Sequence, residues 1–281
     1  MPNQKVFFRV SLGVTWLLVL LAVMLSNFRS FGRLLPAGVL LLAAALNVYM
    51  DFRSLGGLAF LAACYLALQA FRSPQRALNR ITIRQVVTLA ALGLGASLIL
   101  VQVYEYSVQK GWLGETALMR YDMQADGEFG LLLGGRSELM VSSRAVLESP
   151  WLGHGSWAKD CEYAALLLEL KERAGYYPGT MNQECLIPSH SYLMGAWVEA
   201  GVMGLIFWLW VLSLPVRLLL YRHLVAQRMA PLVVFAALVL IWDVLFSPYA
   251  AWARFMVPFF VIVMMSYMPP RPERAGCCDV R

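Results

Sequence analysis

His190 stands in Pro188-Ser189-His190-Ser191, immediately ahead of the longest apolar run of the chain. That puts an imidazole near a helix N-terminus, where the partial positive charge disfavours imidazolium and favours a neutral ring. A neutral imidazole suits a general base acting on a hydroxyl; the plainer reading is an interfacial polar residue. Gly201 and Gly204 follow at 11 and 14 residues, at about +20° and −40° round an ideal helix. Both are therefore expected beneath the histidine on one face, where they let a neighbouring helix or a lipid chain approach the backbone. Glu199 falls about 180° away and ~13 Å further down the same helix, where it pairs between helices or stays protonated. Asp243 interrupts the apolar Leu240-Ile241-Trp242-Asp243-Val244-Leu245. A carboxylate in such a run is costly and a functional candidate: it either orients the histidine or pairs with Arg254 or Arg53. His154 lies in Ser149-Pro150-Trp151-Leu152-Gly153-His154-Gly155-Ser156, a glycine-rich turn whose backbone amides are able to approach a ligand, or else a helix–helix connector with a surface histidine.

Apolar spans must position these groups. The chain has 281 residues, 60% hydrophobic and 14% charged, with a mean hydropathy of +0.63. Soluble domains carry about 25% charged residues, so a soluble globular enzyme, a disordered chain and a fibrous protein are excluded. Apolar runs of membrane-crossing length predict an all-α, multi-pass bundle of about seven spans, near 9–27, 34–50, 55–71, 85–103, 190–220, 229–247 and 252–268. The stretch 104–189 holds 12 of the 17 acidic residues against 7 of the 23 basic ones. Arg72, Arg76, Arg80 and Arg84, then Arg217, Arg222 and Arg228, then the tail after Pro269 are basic and belong in the cytoplasm; the acidic stretch is then outside. The organisation expected is a four-span segment 1–103, an outer loop subdomain 104–189, a three-span segment 190–268 and a cytoplasmic tail 269–281. The first span lacks a small-residue cleavage site before Arg29 and is not a cleaved signal peptide.

Eighty-six residues are too long for a bare connector. Arg136–Glu148 is predicted helical with Leu139, Met140, Ser143 and Val146 on its apolar side, and Lys159–Ala174 with Tyr163, Leu166, Leu167 and Leu170 on its stripe. Cys161 and Cys185 share this loop, where an oxidising compartment permits a disulfide if the geometry suits. Cys64 is a packing residue, and Cys277 and Cys278 read as free thiols. No Cys/His spacing resembles a zinc site, and Asp126-Gly127-Glu128 reads as a solvated turn, so no metal or cofactor is expected.

His190-Ser191, nine residues, Gly201, two residues, Gly204 resembles the signature of the O-antigen ligase and polymerase family. There the pattern is His, then Asn, Ser or Gln, nine residues, Gly, two residues, then Gly, Thr or Tyr. Gly135-Arg136-Ser137-Glu138 followed by Glu148-Ser149-Pro150-Trp151-Leu152-Gly153-His154-Gly155 is similar to the family's arginine and glycine-turn block. Asp51-Phe52-Arg53-Ser54-Leu55-Gly56-Gly57 resembles its first arginine element, with Phe-Arg-Ser in place of Ser-Arg-Gly. The similarity runs from about Asp51 to Trp210. It implies a metal-independent glycosyltransferase of the bacterial inner membrane that moves a glycan from a polyprenyl diphosphate carrier to a hydroxyl acceptor: a lipid core, a growing glycan or a protein. It makes His190 the base on the acceptor hydroxyl and Arg136 and Arg53 the diphosphate-binding arginines. Guanidinium suits that role, being planar, bidentate and permanently charged. Arg254 and Arg144 are further diphosphate or headgroup candidates, and Ser191 a supporting one. Family members usually have more spans, so the front of the groove is expected to be missing or supplied by a partner chain. The partners expected are the lipid-linked donor, the acceptor and the bilayer, with no nucleic acid. The competing readings are a non-catalytic component of a polysaccharide assembly or export system, and a small transporter.

Overall fold

The computed structural model describes residues 3–26, 34–50, 52–70, 102–103, 105–112, 114, 118, 121–122, 137–174, 184–220, 224, 228–249 and 253–268, with side chains from Leu12 onward. Among these residues the protein is all-α, with no strand beyond one antiparallel bridge between Lys159 and Leu186. The long helices are α1 (Asn3–Ser26), α2 (Leu35–Tyr49), α3 (Arg53–Ala70), α4 (Ser137–Glu148), α5 (Cys161–Arg173), α6 (Tyr192–Leu220), α7 (Ala230–Phe246) and α8 (Ala253–Tyr267). Pro36 and Pro231 lie in the first turns of α2 and α7, where a missing N–H removes no helical hydrogen bond.

The helices coincide with the predicted apolar ranges, except that α6 is broken within its range. By length and composition, α3 and α6 are able to cross a membrane, whereas α2, α7 and α8 are shorter apolar helices. The predicted span 85–103, apart from its last two residues, lies outside the described residues, as do Arg136, Asp126–Glu128, Cys277, Cys278 and the tail.

Helix α7 is central and packs on α1, α3, α6 and α8. Apart from Asp243 its sequence is apolar on every side, and Val233, Val234, Phe235, Ala236, Ala237, Leu240 and Val244 are buried. The α2–α3 pair is close-packed through Ala43, Ala44, Ala59, Ala62 and Ala63. A Cβ on Gly56 would lie 2.8 Å from Val48 Cγ2 and 3.1 Å from the Ala44 carbonyl oxygen, so this contact needs a residue without a side chain. A buried polar contact joins α1 to α2: Asn47 Nδ2 donates to Thr15 Oγ1 (2.7 Å), and also to the Ala43 carbonyl of its own helix (2.8 Å). The outward faces are apolar as well. Leu17, Leu20 and Met24 on α1, Leu41 and Leu42 on α2, and Phe255, Phe259, Ile262 and Met265 on α8 are all exposed. A monomer in water rarely shows so much apolar surface.

Three cross-links set the directions of the helices. Ser26 Oγ donates to the Arg228 carbonyl, so the end of α1 meets the start of α7. Tyr65 Oη donates to the Leu219 carbonyl, so the late parts of α3 and α6 meet. Ser191 Oγ donates to the Val244 carbonyl, so the residue before α6 meets the end of α7. The start of α3 therefore shares one end of the bundle with His190 and the end of α7, and Tyr249, four residues before α8, packs on Tyr192 at the same end.

Helices α4 and α5 form a lid with its own core of Val141, Ala145, Val146, Ala158, Tyr163 and Ile187. The α5 stripe Leu166, Leu167 and Leu170 packs there as predicted. The α4 face is corrected in part: Val146 is buried as predicted and Met140 and Ser143 are half-buried, but Leu139 is exposed, and the buried side is completed by Ser137, Val141, Ser142 and Ala145. α4 packs against α6 as well as α5, and the second contact turns the helix away from its most apolar side.

Candidate functional site

Helix α6 is two limbs, not one rod. Gly201 has φ 60° and ψ −147°, a region open essentially to glycine alone. The limb 192–200 folds back there on the limb 202–220. Tyr192 and Trp208 would be about 24 Å apart along an unbroken helix, yet their rings lie 5.1 Å apart. A Cβ on Gly204 would lie 2.1 Å from the Ala196 carbonyl oxygen. The predicted arrangement of Gly201 and Gly204 under His190 is thus corrected, because angular arithmetic does not carry across the break. Both glycines instead make the fold-back. Glu199 is also corrected. It sits at the break beside the lid, with the Trp157 amide against its carboxylate, while His190 is at the opposite end of the short limb.

The break frees backbone groups, and the glycine-rich turn takes them up. His154 N donates to the Val198 carbonyl (2.7 Å), Gly155 N to the Glu199 carbonyl (3.0 Å), and Val202 N to the Trp151 carbonyl (3.2 Å). Trp197 Nε1 adds a bond to the Pro150 carbonyl (3.0 Å). The expectation that these amides face a ligand is replaced: His154 and Gly155 complete the broken helix. His154 is half-buried and its ring is structural too. Nε2 lies 2.8 Å from the Ala145 carbonyl, which only accepts, so Nε2 carries the proton, and the ring edge meets Tyr163.

The short limb serves two cores. Tyr192, Leu193 and Ala196 pack in the helical bundle, while Met194, Trp197 and Val198 pack in the lid. Ser191 caps this limb: its Oγ accepts from Met194 N (3.2 Å) while donating to the Val244 carbonyl (2.9 Å). His190, one residue earlier, is exposed in the bend before the limb.

Behind the histidine lies a buried polar-aromatic cluster. Asp243 is 7% exposed and accepts from Ser247 Oγ (2.7 Å). No ion pair with Arg254 or Arg53 and no hydrogen bond to His190 forms among the described residues. Tyr192, buried, presents its hydroxyl near Asp243 without completing a hydrogen bond. The rings of Tyr192, Trp208 and Tyr249 pack mutually at 5.1–5.6 Å. Reading Asp243 in isolation from the sequence missed Tyr192 and Ser247. Ser247 was findable as the hydroxyl one helical turn after Asp243; Tyr192 required knowledge of the fold-back. Arg53 and Arg254 open α3 and α8, exposed at the same end of the bundle. Arg144 pairs with Glu148 (3.2 Å) on the lid surface.

The lid is clamped to the histidine segment. Cys161 and Cys185 form a disulfide with Cα atoms 4.7 Å apart. Asp160 N donates to the Cys185 carbonyl and Ile187 N to the Ala158 carbonyl alongside it. Closing a loop with a sequence separation of 24 stabilises by about 3.5 kcal/mol. Converting both cysteines to serine is expected to raise the rate of limited proteolysis within 137–189 markedly, without preventing membrane insertion.

The lid carries a pH dependence of its own. The Tyr163 hydroxyl donates to Glu148 Oε2. That hydrogen bond first, and Arg144 second, hold the Glu148 carboxyl below the usual carboxylate range. Burial, and then Glu148, push the Tyr163 phenol up to about 12. A lowered carboxylate stabilises above its unfolded pKa of ~4.3 and loses this as pH falls through the folded value. A raised phenol stabilises below ~10, and this is lost between about 10 and about 12. Ring-carbon NMR of isotope-labelled tyrosine is expected to show a late-titrating lid phenol that Tyr163→Phe removes.

No family model matches the chain, and no curated protein and no solved structure matches it.

Proposed function

We propose that the chain is a multi-pass inner-membrane glycosyltransferase of the O-antigen ligase or polymerase type, built on about seven spans with the lid on the outer side. The observation that carries this reading is the position of His190: exposed, beside the capped foot of a short half-helix, at the bundle end where Arg53 and Arg254 begin their helices, five residues after the cysteine whose disulfide ties its segment to the lid. The family-like order of His190, Arg136 and Arg53 along the chain supports it.

In the proposed reaction, the neutral His190 imidazole takes the proton of an acceptor hydroxyl. The oxygen attacks the anomeric carbon of the lipid-linked glycan. The bond from that carbon to the diphosphate oxygen breaks, and the polyprenyl diphosphate leaves with its charge held by Arg136 and Arg53. Fixed positive charge at a low-dielectric boundary stabilises that leaving group more than it would in water. Asp243, buried one layer behind, supports the segment through Ser247 and the end of α7 rather than by touching the ring.

The test is transfer from a polyprenyl-diphosphate glycan to acceptor by the purified chain in lipid. Product formation by the native chain is expected. Arg136→Lys keeps the charge but loses one of two parallel donors, worth about 1.5–3 kcal/mol, so about ten- to hundred-fold lower transfer is expected. A native chain that binds donor yet forms no product with any of the three acceptor classes identifies a non-catalytic component instead.

A further inference from the structure

The turn joining α4 to α5 presents apolar side chains where a soluble turn would be polar. Trp151 is 73% and Leu152 85% exposed, and Leu147, at the end of α4, is exposed too. These side chains project from a backbone held on all sides. Ser149 Oγ donates to the Gly153 carbonyl, Gly153 N to the Ser149 carbonyl, Trp197 Nε1 to the Pro150 carbonyl and Val202 N to the Trp151 carbonyl. The turn therefore cannot swing inward to hide them.

What covers them follows from where the turn is pinned. Val202, bonded to Trp151, begins the long limb of α6, whose exposed face carries Met203 (70% exposed), Ile206 and Phe207. The Trp151 carbonyl thus ties the turn to the start of the limb that carries this stripe. From Val202 to Leu220 is 19 residues, a rise of about 28 Å, against a hydrocarbon core ~30 Å thick. Arg217 is exposed near the lower end, as a basic residue at a membrane boundary should be. With Leu220 at one boundary, and Arg217 one turn inside it reaching the headgroups along its flexible stem, the break and Trp151 come to the other, the depth at which tryptophan is favoured. The exposed Arg144–Glu148 pair provides polar surface on the adjoining α4.

We propose that Trp151 and Leu152 are an interfacial anchor, immersed in the outer leaflet, that fixes the lid against the bilayer beside the break in α6. This rests on the membrane reading above. The occupant is the bilayer of the chain's own membrane, because the turn is tied to the limb whose stripe the same bilayer covers.

The test uses the full chain with Cys64, Cys277 and Cys278 changed to Ser and the disulfide intact. Single spin labels are placed at Leu152→Cys and at Trp151→Cys, in nanodiscs of phosphatidylethanolamine and phosphatidylglycerol. Phe207→Cys on the α6 stripe and Glu172→Cys on exposed α5 serve as references. Collision with oxygen and with a water-soluble nickel chelate is measured. Both turn labels are expected to match Phe207, with oxygen contact several-fold enriched over nickel contact relative to Glu172. Turn labels that match Glu172 while Phe207 stays in lipid overturn the anchor and leave the membrane reading standing. Turn labels shielded from both reagents mean that protein covers the surface, which also overturns it. A Phe207 label as nickel-accessible as Glu172 removes the membrane reading itself, and the anchor with it.

Discussion

His190→Ala is expected to lower glycan transfer by about 10²–10⁴-fold, the contribution typical of a positioned acid or base, while the amount of folded protein stays unchanged. The two halves of this expectation come from different observations. The loss follows from the proposed proton transfer, for which alanine has no substitute. The unchanged fold follows from the structure: His190 is exposed, lies outside the helix, and leaves to Ser191 both the cap on Met194 and the bond to Val244. Surface glycan read on a gel, with protein level measured separately, checks both. Native amounts of glycan at native protein level would reject the catalytic assignment.

Gly201→Ala, the addition of a single methyl group, should damage the fold severely. The φ 60°, ψ −147° backbone is forbidden to alanine without strain, at about 1–3 kcal/mol. The added Cβ would also lie 2.1 Å from the Trp151 carbonyl oxygen and 2.7 Å from Leu152 N, both backbone atoms that no rotamer change can remove. Relief requires the lid to lift from the break, losing the hydrogen bonds made there by His154, Gly155 and Val202, each worth about 0.5–1.5 kcal/mol. A loss of several kcal/mol is therefore expected, read as a lower unfolding temperature in detergent and early proteolysis of the lid. Gly57→Ala is the control. Nothing lies within 4 Å of its Cβ and it sits inside α3, so alanine there should be neutral or stabilising. If the two variants unfold alike, the break is not what joins lid to bundle.

Periodicity and composition located most helices, because both are local properties. The apolar ranges, the stripe of α5 and the two prolines opening α2 and α7 follow from side chains acting on their own turn of backbone. The α4 face was partly misplaced because its burial is chosen by α6, a neighbour nearly fifty residues downstream. His190 was legible as chemistry because of its residue type ahead of a long apolar run, and Asp243 as a charge where charge is costly.

The amino-acid order alone thus determined that the chain is helical and apolar, where its helices lie, and which polar groups are unusual enough to act. Only the tertiary structure decided that α6 doubles back at Gly201. Glycine is permitted many conformations, and what selects φ 60° there is the Trp151–Gly155 backbone arriving from the lid to satisfy the groups that the break exposes. That one fold-back sent Glu199 to the lid, set Tyr192 beside Asp243, and made the glycine pair a hinge of packing instead of a platform under the histidine.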